Sequence, residues 1–545
     1  MDQLFVKIII IIVYLGVVGF LGFLGWRRTK NAKDFMLGGR TIHPAVMALS
    51  YGATFISTSA IIGFGGFAGV FGMSLLWLTF LNIFLGVFIA FIFFGKRTRR
   101  IGRNLDAHTF AEFLGKRYNS KFIQKFVGVV IFVFMPFYAA AVMIGVTRIM
   151  EAGLGLDYNI ALIIFAVIVA AYVIFGGIKG VMYSDAFQGS LMLIGMVALL
   201  VIVYTQLGGI APAHQALTDL TKNPAVAEQT AGLASGGFQG WTSMPVWFSK
   251  NWMIVVTSIV AGVGIGVLAQ PQLAVRFMTV KSDKELNRAI PIGGVFILLM
   301  TGVAFLVGSL SNVMFFQETG SISVVAAGGT DSIIPTFLKT FTQPWFVTIF
   351  LVMMLAAGMS TISSQFHTMG TAVGRDIFMK AGKSPKKAMV VSRIGVLVAI
   401  VVTVVLSYLL PLVWDAAIGI ATGLFFGLCG SAFLPLYFGA LYLKKLTKAA
   451  AISGMVSGFA ASLIWMLLFH TKESAVFGLV NAIKGTPDAP VNSLIGNSIV
   501  QFLDPLFIAF TVSVLVTFIV QMIAKKKPEK ALIEKSFAGV GKKKK

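Results

Sequence analysis

The run Ala356-Ala357-Gly358-Met359-Ser360-Thr361-Ile362-Ser363-Ser364-Gln365 places several hydroxyls inside an otherwise apolar stretch. At helical spacing, Ala357, Ser360, Thr361 and Ser364 fall at i, i+3, i+4 and i+7, on one face. Three hydroxyls beside a backbone carbonyl form a stripe of neutral oxygens. A small hard cation takes several oxygen ligands, and neutral ones suffice where it has to be released again. The same stripe of small residues would also serve a close helix–helix contact, with hydroxyls bonding back to their own helix. Spacing alone leaves both readings open.

Ionisable residues at membrane depth are the next candidates. Asp185 lies in Tyr183-Ser184-Asp185-Ala186-Phe187-Gln188, early in an apolar run. A carboxylate there marks a functional site by default, although its place near one end also allows an interfacial role, pairing with a lysine or capping the helix. Asp415 and Asp504 stand near the ends of their runs and read as interfacial. His367 is the histidine inside a run, and reads as packed or hydrogen-bonded rather than as a proton relay. There is no His-Glu-x-x-His, no Cys/His cluster and no phosphate loop, so the chemistry of an enzyme is not expected. The single Cys429 excludes an intramolecular disulfide.

The elements that carry these residues are membrane spans. Thirteen apolar runs are long enough to cross a bilayer, at about 20 residues each, from Leu4–Trp26 to Pro505–Ile523. Two look broken. The second, Ala45–Phe71, holds Ser50-Tyr51-Gly52-Ala53-Thr54-Phe55-Ile56-Ser57-Thr58-Ser59 and then Gly63, Gly65 and Gly66. The seventh, Met253–Leu273, holds Gly262, Gly264, Gly266 and Pro271. Interrupted spans at matching places in two halves point to a transport site at the midplane. Unwound backbone is tolerated there because it lines a cavity.

Composition agrees. The 545 residues are 57% hydrophobic and 12% charged, about half the charged share of a soluble chain. A net charge of +24 would suggest nucleic acid in a soluble protein. Here the basic residues sort to one side of the alternating spans: Arg27 to Arg40, Lys96 to Lys125, Arg276 to Arg288, Arg375 to Arg393, Lys444 to Lys448 and the tail from Lys525. By the positive-inside rule the N-terminus is then outside, the C-terminus is cytoplasmic, and no nucleic-acid partner is implied. The first run is followed by Arg27-Arg28 and lacks a cleavage site, so it reads as a retained anchor of the inner (plasma) membrane. The tail ending in Lys542–Lys545 suits either a topology-fixing end or contact with anionic lipid headgroups.

Several motifs stand in a familiar order: Asp34-Phe35-Met36-Leu37-Gly38-Gly39-Arg40; Tyr172-Val173-Ile174-Phe175-Gly176-Gly177-Ile178-Lys179-Gly180 with Ser184-Asp185-Ala186-Phe187-Gln188-Gly189; Gln270-Pro271-Gln272 with Arg276-Phe277; and Ala440–Gly458. With them the chain resembles the sodium:solute symporter family over roughly Asp34 to Ala524. Ile178, Ala450 and Ser457 depart from the residues usual there. The resemblance implies an all-α polytopic protein with a leucine-transporter-type inverted repeat, five spans plus five. It divides the chain into an extra span and loop (1–40), the ten-helix core (41–443), two further spans (444–523) and a basic tail (524–545).

It also implies sites. Sodium would meet backbone oxygens of Ala53 and Ile56 together with Ala357, Ser360 and Thr361. A second sodium, present in some members, would meet Asp185, Ser360, Ser363 and Ser364. Solute would meet the breaks, at Thr54, Phe55, Ser57, Thr58, Gln270 and Gln272. The implied activity is sodium-coupled import of a small organic solute. A carboxylate of the monocarboxylate or pantothenate kind is the first expectation, since helix ends exposed at a break favour anions without a buried arginine. Proline or another amino acid is the alternative; against it, Val263 and Val267 lack the aromatic rings expected to hold a proline ring. A sugar is not expected, because the second-span break offers Phe55 and Ala60 rather than amides or acids. A channel or a membrane sensor remains as a reading of another class, and radiotracer uptake with and without sodium separates them.

Overall fold

The computed structural model describes residues 3–27, 37–175, 178–378, 385–484, 493–496 and 498–540. Asp34-Phe35-Met36, Gly176-Gly177 and the Lys542–Lys545 run lie outside the described residues. Among the described residues the structure is helical, with one isolated backbone pairing, Ile42 with Val280.

Among the described residues, eleven helices are long and apolar enough to cross a membrane. Two features bring the crossings to the thirteen expected. Tyr158–Phe175 is a shorter apolar helix and forms the fifth span. The continuous run Ser59–Asn104 is two crossings, not one. Its neighbour Asp283–Thr319 records the reversal. Gly52 packs on the ring of Phe296, and Ala68 accepts a hydrogen bond from Ser309. After Gly72 the order runs backwards: Thr79 meets Gly302 and Val87 meets Gly293. Gly72 has φ +73°, and a β-carbon there would stand 2.1 Å from the Trp241 carbonyl oxygen, so only glycine makes this corner.

The two broken spans are broken where the sequence places the breaks. Pro44–Phe55 ends at Ile56 in extended backbone (ψ 98°), and helix resumes at Ser59–Gly63 and Phe64–Phe71. The seventh span, Lys250–Ala269, stops at Gln270 (ψ 118°) and restarts at Pro271–Ala274. Proline disfavours helical backbone in the residue before it, and its own missing N–H costs nothing in the first turn of the new helix. Ile42 donates its N–H to Thr279 at 3.3 Å, so the segment entering the second span is tied to the segment leaving the seventh.

The ninth span, Pro344–Ile377, and the eleventh, Ala417–Tyr442, are almost wholly enclosed by protein, whereas the first and thirteenth are mostly exposed on their apolar faces. Polar contacts that dock the first include Gln188 of the sixth span donating to the Tyr14 hydroxyl at 2.8 Å and Lys7 Nζ donating to the Gly153 carbonyl at 2.7 Å. Between the second and eighth spans a β-carbon on Gly308 would stand 2.0 Å from the Gly65 carbonyl oxygen. Backbones approach that closely in a membrane only through small residues. The long connections that follow the sixth and eighth spans carry short helices, including Ile210–Leu220 and Ile333–Phe341. Trp241 in the first of them donates to the Gly69 carbonyl at 2.8 Å, fastening it to the Gly72 corner.

Candidate functional site

The hydroxyl stripe of the ninth span faces the open end of the second. Ser360 Oγ lies 2.9 Å from the Ala53 carbonyl oxygen and 3.0 Å from that of Ala357. Thr361 Oγ1 lies 3.3 Å from the Ala53 carbonyl oxygen and 3.2 Å from that of Thr54. Ala53, Ala357, Ser360 and Thr361 are therefore brought together as expected, with none of them accessible to solvent. Ile56 lies at the break itself and is equally buried. These are neutral oxygens from two helices, one of them unwound, a donor set that suits a singly charged hard cation.

The second group is built differently from what the resemblance implies. Asp185 Oδ2 accepts from Ser50 Oγ at 2.8 Å and from Arg276 Nη2 at 2.9 Å. The same guanidinium donates to the hydroxyls of Thr54 and Ser364, its Nε to Ser50 Oγ at 3.1 Å, and its Nη1 to the Gln272 carbonyl at 2.8 Å. The Asp185 and Arg276 side chains are 0% and 2% exposed. Asp185 is thus neither an interfacial cap nor the partner of a loop lysine. Ser364 joins this group, whereas the Ser363 hydroxyl bonds back to the Ser360 carbonyl of its own helix at 3.2 Å.

The residues expected to bind solute divide in three. Phe55 and Ser57 line a buried central cavity with Asn82, Tyr138, Thr422 and Phe426. Thr54 belongs to the Arg276 group, and the Thr58 hydroxyl is spent on the Val142 carbonyl at 2.7 Å, pinning the break to the fourth span. Gln270 and Gln272 bond each other at 2.9 Å, and Gln272 lines a second cavity with Arg276, His367 and Asp376, on the side of the basic loops. His367 is half-buried there.

Sequence reasoning missed Asn82, Tyr138, Thr422 and Phe426. Asn82 carried a signal: an amide inside an apolar run is costly unless it has a partner. Its buried Oδ1 has none among the described residues, as expected of a group that meets a ligand. Tyr138 and Phe426 carried no signal, since an aromatic in a membrane helix looks like any other. Arg276 reads in the sequence as a motif residue and as one of the basic loop residues, whereas its side chain is buried against Asp185. Asp504, expected at an interface, is buried and caps the last span by accepting from Leu506 N–H at 2.9 Å.

Comparison with known proteins agrees with this architecture. The chain is 30% identical over 533 residues to a sodium/proline symporter of Staphylococcus aureus, covering 91% of this chain and 89% of that one. It is 29% identical over 466 residues to the osmoregulated proline transporter of Bacillus subtilis, covering 84% and 87%. Its fold superposes on a Na+-coupled sialic acid symporter with a TM-score of 0.71 at 20% identity, over 96% of this chain and 98% of the other. The model of the sodium:solute symporter family matches residues 35–458. With that match spanning most of a chain whose two broken helices meet a hydroxyl-lined ninth span, the protein belongs to the sodium:solute symporter family.

Proposed function

We propose that this sodium-coupled symporter imports a small zwitterionic amino acid, with proline as the first candidate, across the plasma membrane. The observation that carries the reading is the lining of the central cavity. It combines the rings of Phe55, Tyr138 and Phe426 with the uncharged polar groups of Ser57, Asn82 and Thr422, and no charged side chain is among its described lining residues. An isolated ion is costly to bury without a partner. A zwitterion brings its own compensating charges, and the open backbone at Ile56–Thr58 can meet its carboxylate. The apolar ring of proline suits the aromatic walls. The objection that Val263 and Val267 are not aromatic loses its force, because the rings come from the second, fourth, eighth and eleventh spans instead.

The named relatives transport proline, which supports the amino-acid reading over the monocarboxylate one. Sodium at Ala53, Ile56, Ala357, Ser360 and Thr361 would couple solute binding to the second and ninth spans at once. The basic loops support a cytoplasmic C-terminus, with import driven from outside. The deciding experiment is uptake of labelled proline into proteoliposomes with an inward sodium gradient. Unlabelled proline should compete, and acetate, pyruvate, lactate, propionate and pantothenate should not. Competition by the monocarboxylates alone would return the substrate to that class.

A further inference from the structure

We propose that the chain carries a second solute site on the side away from the basic loops, where Lys472 and Asp415 receive a zwitterionic amino acid on its way to the central cavity. The inference rests on the amino-acid reading of that cavity and adds an entry site to it.

A cavity of about 310 Å³ opens between the end of the tenth span and the segment after the twelfth. That is the small end of the range for small-molecule sites. Phe67, Phe71 and Trp414 are among its walls, and all three are buried. Two opposite charges line it from different elements. Asp415 stands at the junction of the tenth and eleventh spans, and Lys472 begins the helix Thr471–Phe477 after the twelfth. Trp414 Nε1 donates to the Lys472 carbonyl at 3.3 Å, which fastens the Lys472 segment beside the residue that precedes Asp415. Among the described residues neither charge forms an ion pair. The Lys472 ammonium lies 5.9 Å from the Phe67 ring centroid, the outer limit of a cation–π contact. The carboxylates that act on it, Glu473 and Asp504, are engaged elsewhere, with His470 and with the Leu506 N–H. Unpaired opposite charges beside aromatic walls complement an α-amino acid: its carboxylate meets the ammonium, its amino group meets the carboxylate, and its side chain meets the rings. A monocarboxylate satisfies only half of the site.

Shared walls connect this cavity to the central one. Phe67, Ile420 and Lys472 also line a middle cavity, and Phe64 and Val263 line both the middle and the central one. Three rings on the resumed half of the second span mark the steps. Phe71 lines the outer cavity, Phe67 the outer and middle, and Phe64 the middle and central, with ring centroids 6.1 Å apart at each step. Phe67 packs so tightly on the eleventh span that a β-carbon on Gly419 would stand 2.1 Å from its ring. Solute held at Lys472 and Asp415 is thus separated from the central cavity by rings of the same span whose break carries the Ala53 and Ile56 oxygens. The site also needs a residue from beyond the ten-helix core, which gives the segment after the twelfth span a part in solute entry.

The test is binding of labelled proline to the purified full-length protein, with and without sodium. In choline buffer the wild type should bind one proline per transporter at the outer site, and sodium should add a second at the central cavity. Lys472→Gln and Asp415→Asn should each weaken the sodium-independent component about tenfold, the loss of one charge-assisted hydrogen bond, and leave the sodium-dependent one in place. Exchanging the charges, in Lys472→Asp/Asp415→Lys, should restore the lost component, because a zwitterion can bind end for end. Absence of sodium-independent proline binding in the wild type would overturn the proposal. So would binding unchanged in both neutralised variants, or an exchanged variant that keeps the sodium-dependent component and still lacks the other. Absence of the sodium-dependent component alone would instead count against the amino-acid reading of the central cavity.

Discussion

The Ser360 hydroxyl of the ninth span stands 2.9 Å from the Ala53 carbonyl oxygen, in the last turn before the second span unwinds. Two helices 307 positions apart in sequence thus share a set of oxygens that has no charge of its own. With sodium between them, these oxygens would turn from mutual hydrogen bonding to ligation, and the helices would be held by the ion instead.

Removing the hydroxyls should weaken sodium and leave the fold. Thr361→Ala is expected to raise the sodium concentration for half-maximal uptake by about tenfold, the equivalent of roughly 1.4 kcal/mol. Ser360→Ala/Thr361→Ala should raise it further, with expression and melting temperature in sodium-free buffer close to wild type. Unaltered sodium dependence in the double variant would remove the assignment.

The central cavity makes a prediction that separates solute from ion. Asn82 is buried with its Oδ1 unpartnered among the described residues, and Phe426 packs edge-on to Tyr138 with ring centroids 5.1 Å apart. Asn82→Leu should raise the solute KM about tenfold, the cost of a lost hydrogen bond to a charged group at roughly 1.5 kcal/mol. Phe426→Ala should raise it by a similar factor through lost ring contact. Neither change should alter half-saturation by sodium when that is measured at saturating solute. A parallel loss of both affinities would place these residues in the scaffold rather than at the solute.

Much of this arrangement was legible in the sequence because membrane folding is governed by a few strong constraints. Apolar length gave the thirteen crossings, and glycine and proline marked both breaks at Ile56 and Gln270. Helical spacing put Ala357, Ser360 and Thr361 on one face. What stayed hidden depended on depth and direction rather than type. Thr58 looked like a solute ligand, yet its hydroxyl is used up on the Val142 carbonyl. Gln270 and Gln272 follow the second break, but turn toward each other and the basic-loop side. Arg276 sits among loop arginines in the sequence, and only the helical restart at Pro271 brings it back to Asp185. The cavity rings come from four different spans, so no local pattern could gather them.

On the side of the basic loops, Glu112 holds the connection between the third and fourth spans. Its two oxygens receive Arg375 Nε and Nη2, each at 2.9 Å, and Lys116 lies at 2.9 Å. Burial alone would raise the Glu112 carboxyl, but hydrogen bonds from His108 and Arg375 and the charges of Arg375 and Lys116 hold it well below its ordinary value of 4.5. A depressed carboxyl contributes stability that is fully present above its unfolded value and is lost as pH falls through the folded one. Glu112→Gln should therefore destabilise the protein by about 3 kcal/mol near neutral pH, as expected for breaking a largely buried pair. The gap from wild type, read as the difference in melting temperature, should stay constant from neutrality down to the ordinary carboxylate range and narrow only below it. A gap that is already closing near neutrality would show that the pair is not what holds the carboxyl ionised.

The last prediction joins substrate class to stoichiometry through charge. A zwitterion carries no net charge, so its entry with one sodium moves one positive charge inward. The membrane potential then contributes about 2.3 kcal/mol per 100 mV to uptake. At about 1.4 kcal/mol per tenfold, that term alone supports roughly 40-fold more accumulation. A monoanion entering with one sodium would be neutral and would gain nothing, which is why a carrier of monoanions benefits from a second ion and a carrier of zwitterions does not. In proteoliposomes clamped with a potassium gradient and valinomycin, an inside-negative potential should accelerate proline uptake, and each proline should carry one elementary charge. Uptake indifferent to potential would exclude the pairing of a zwitterion with a single sodium. Two charges per proline would mean that a second cation moves with the solute.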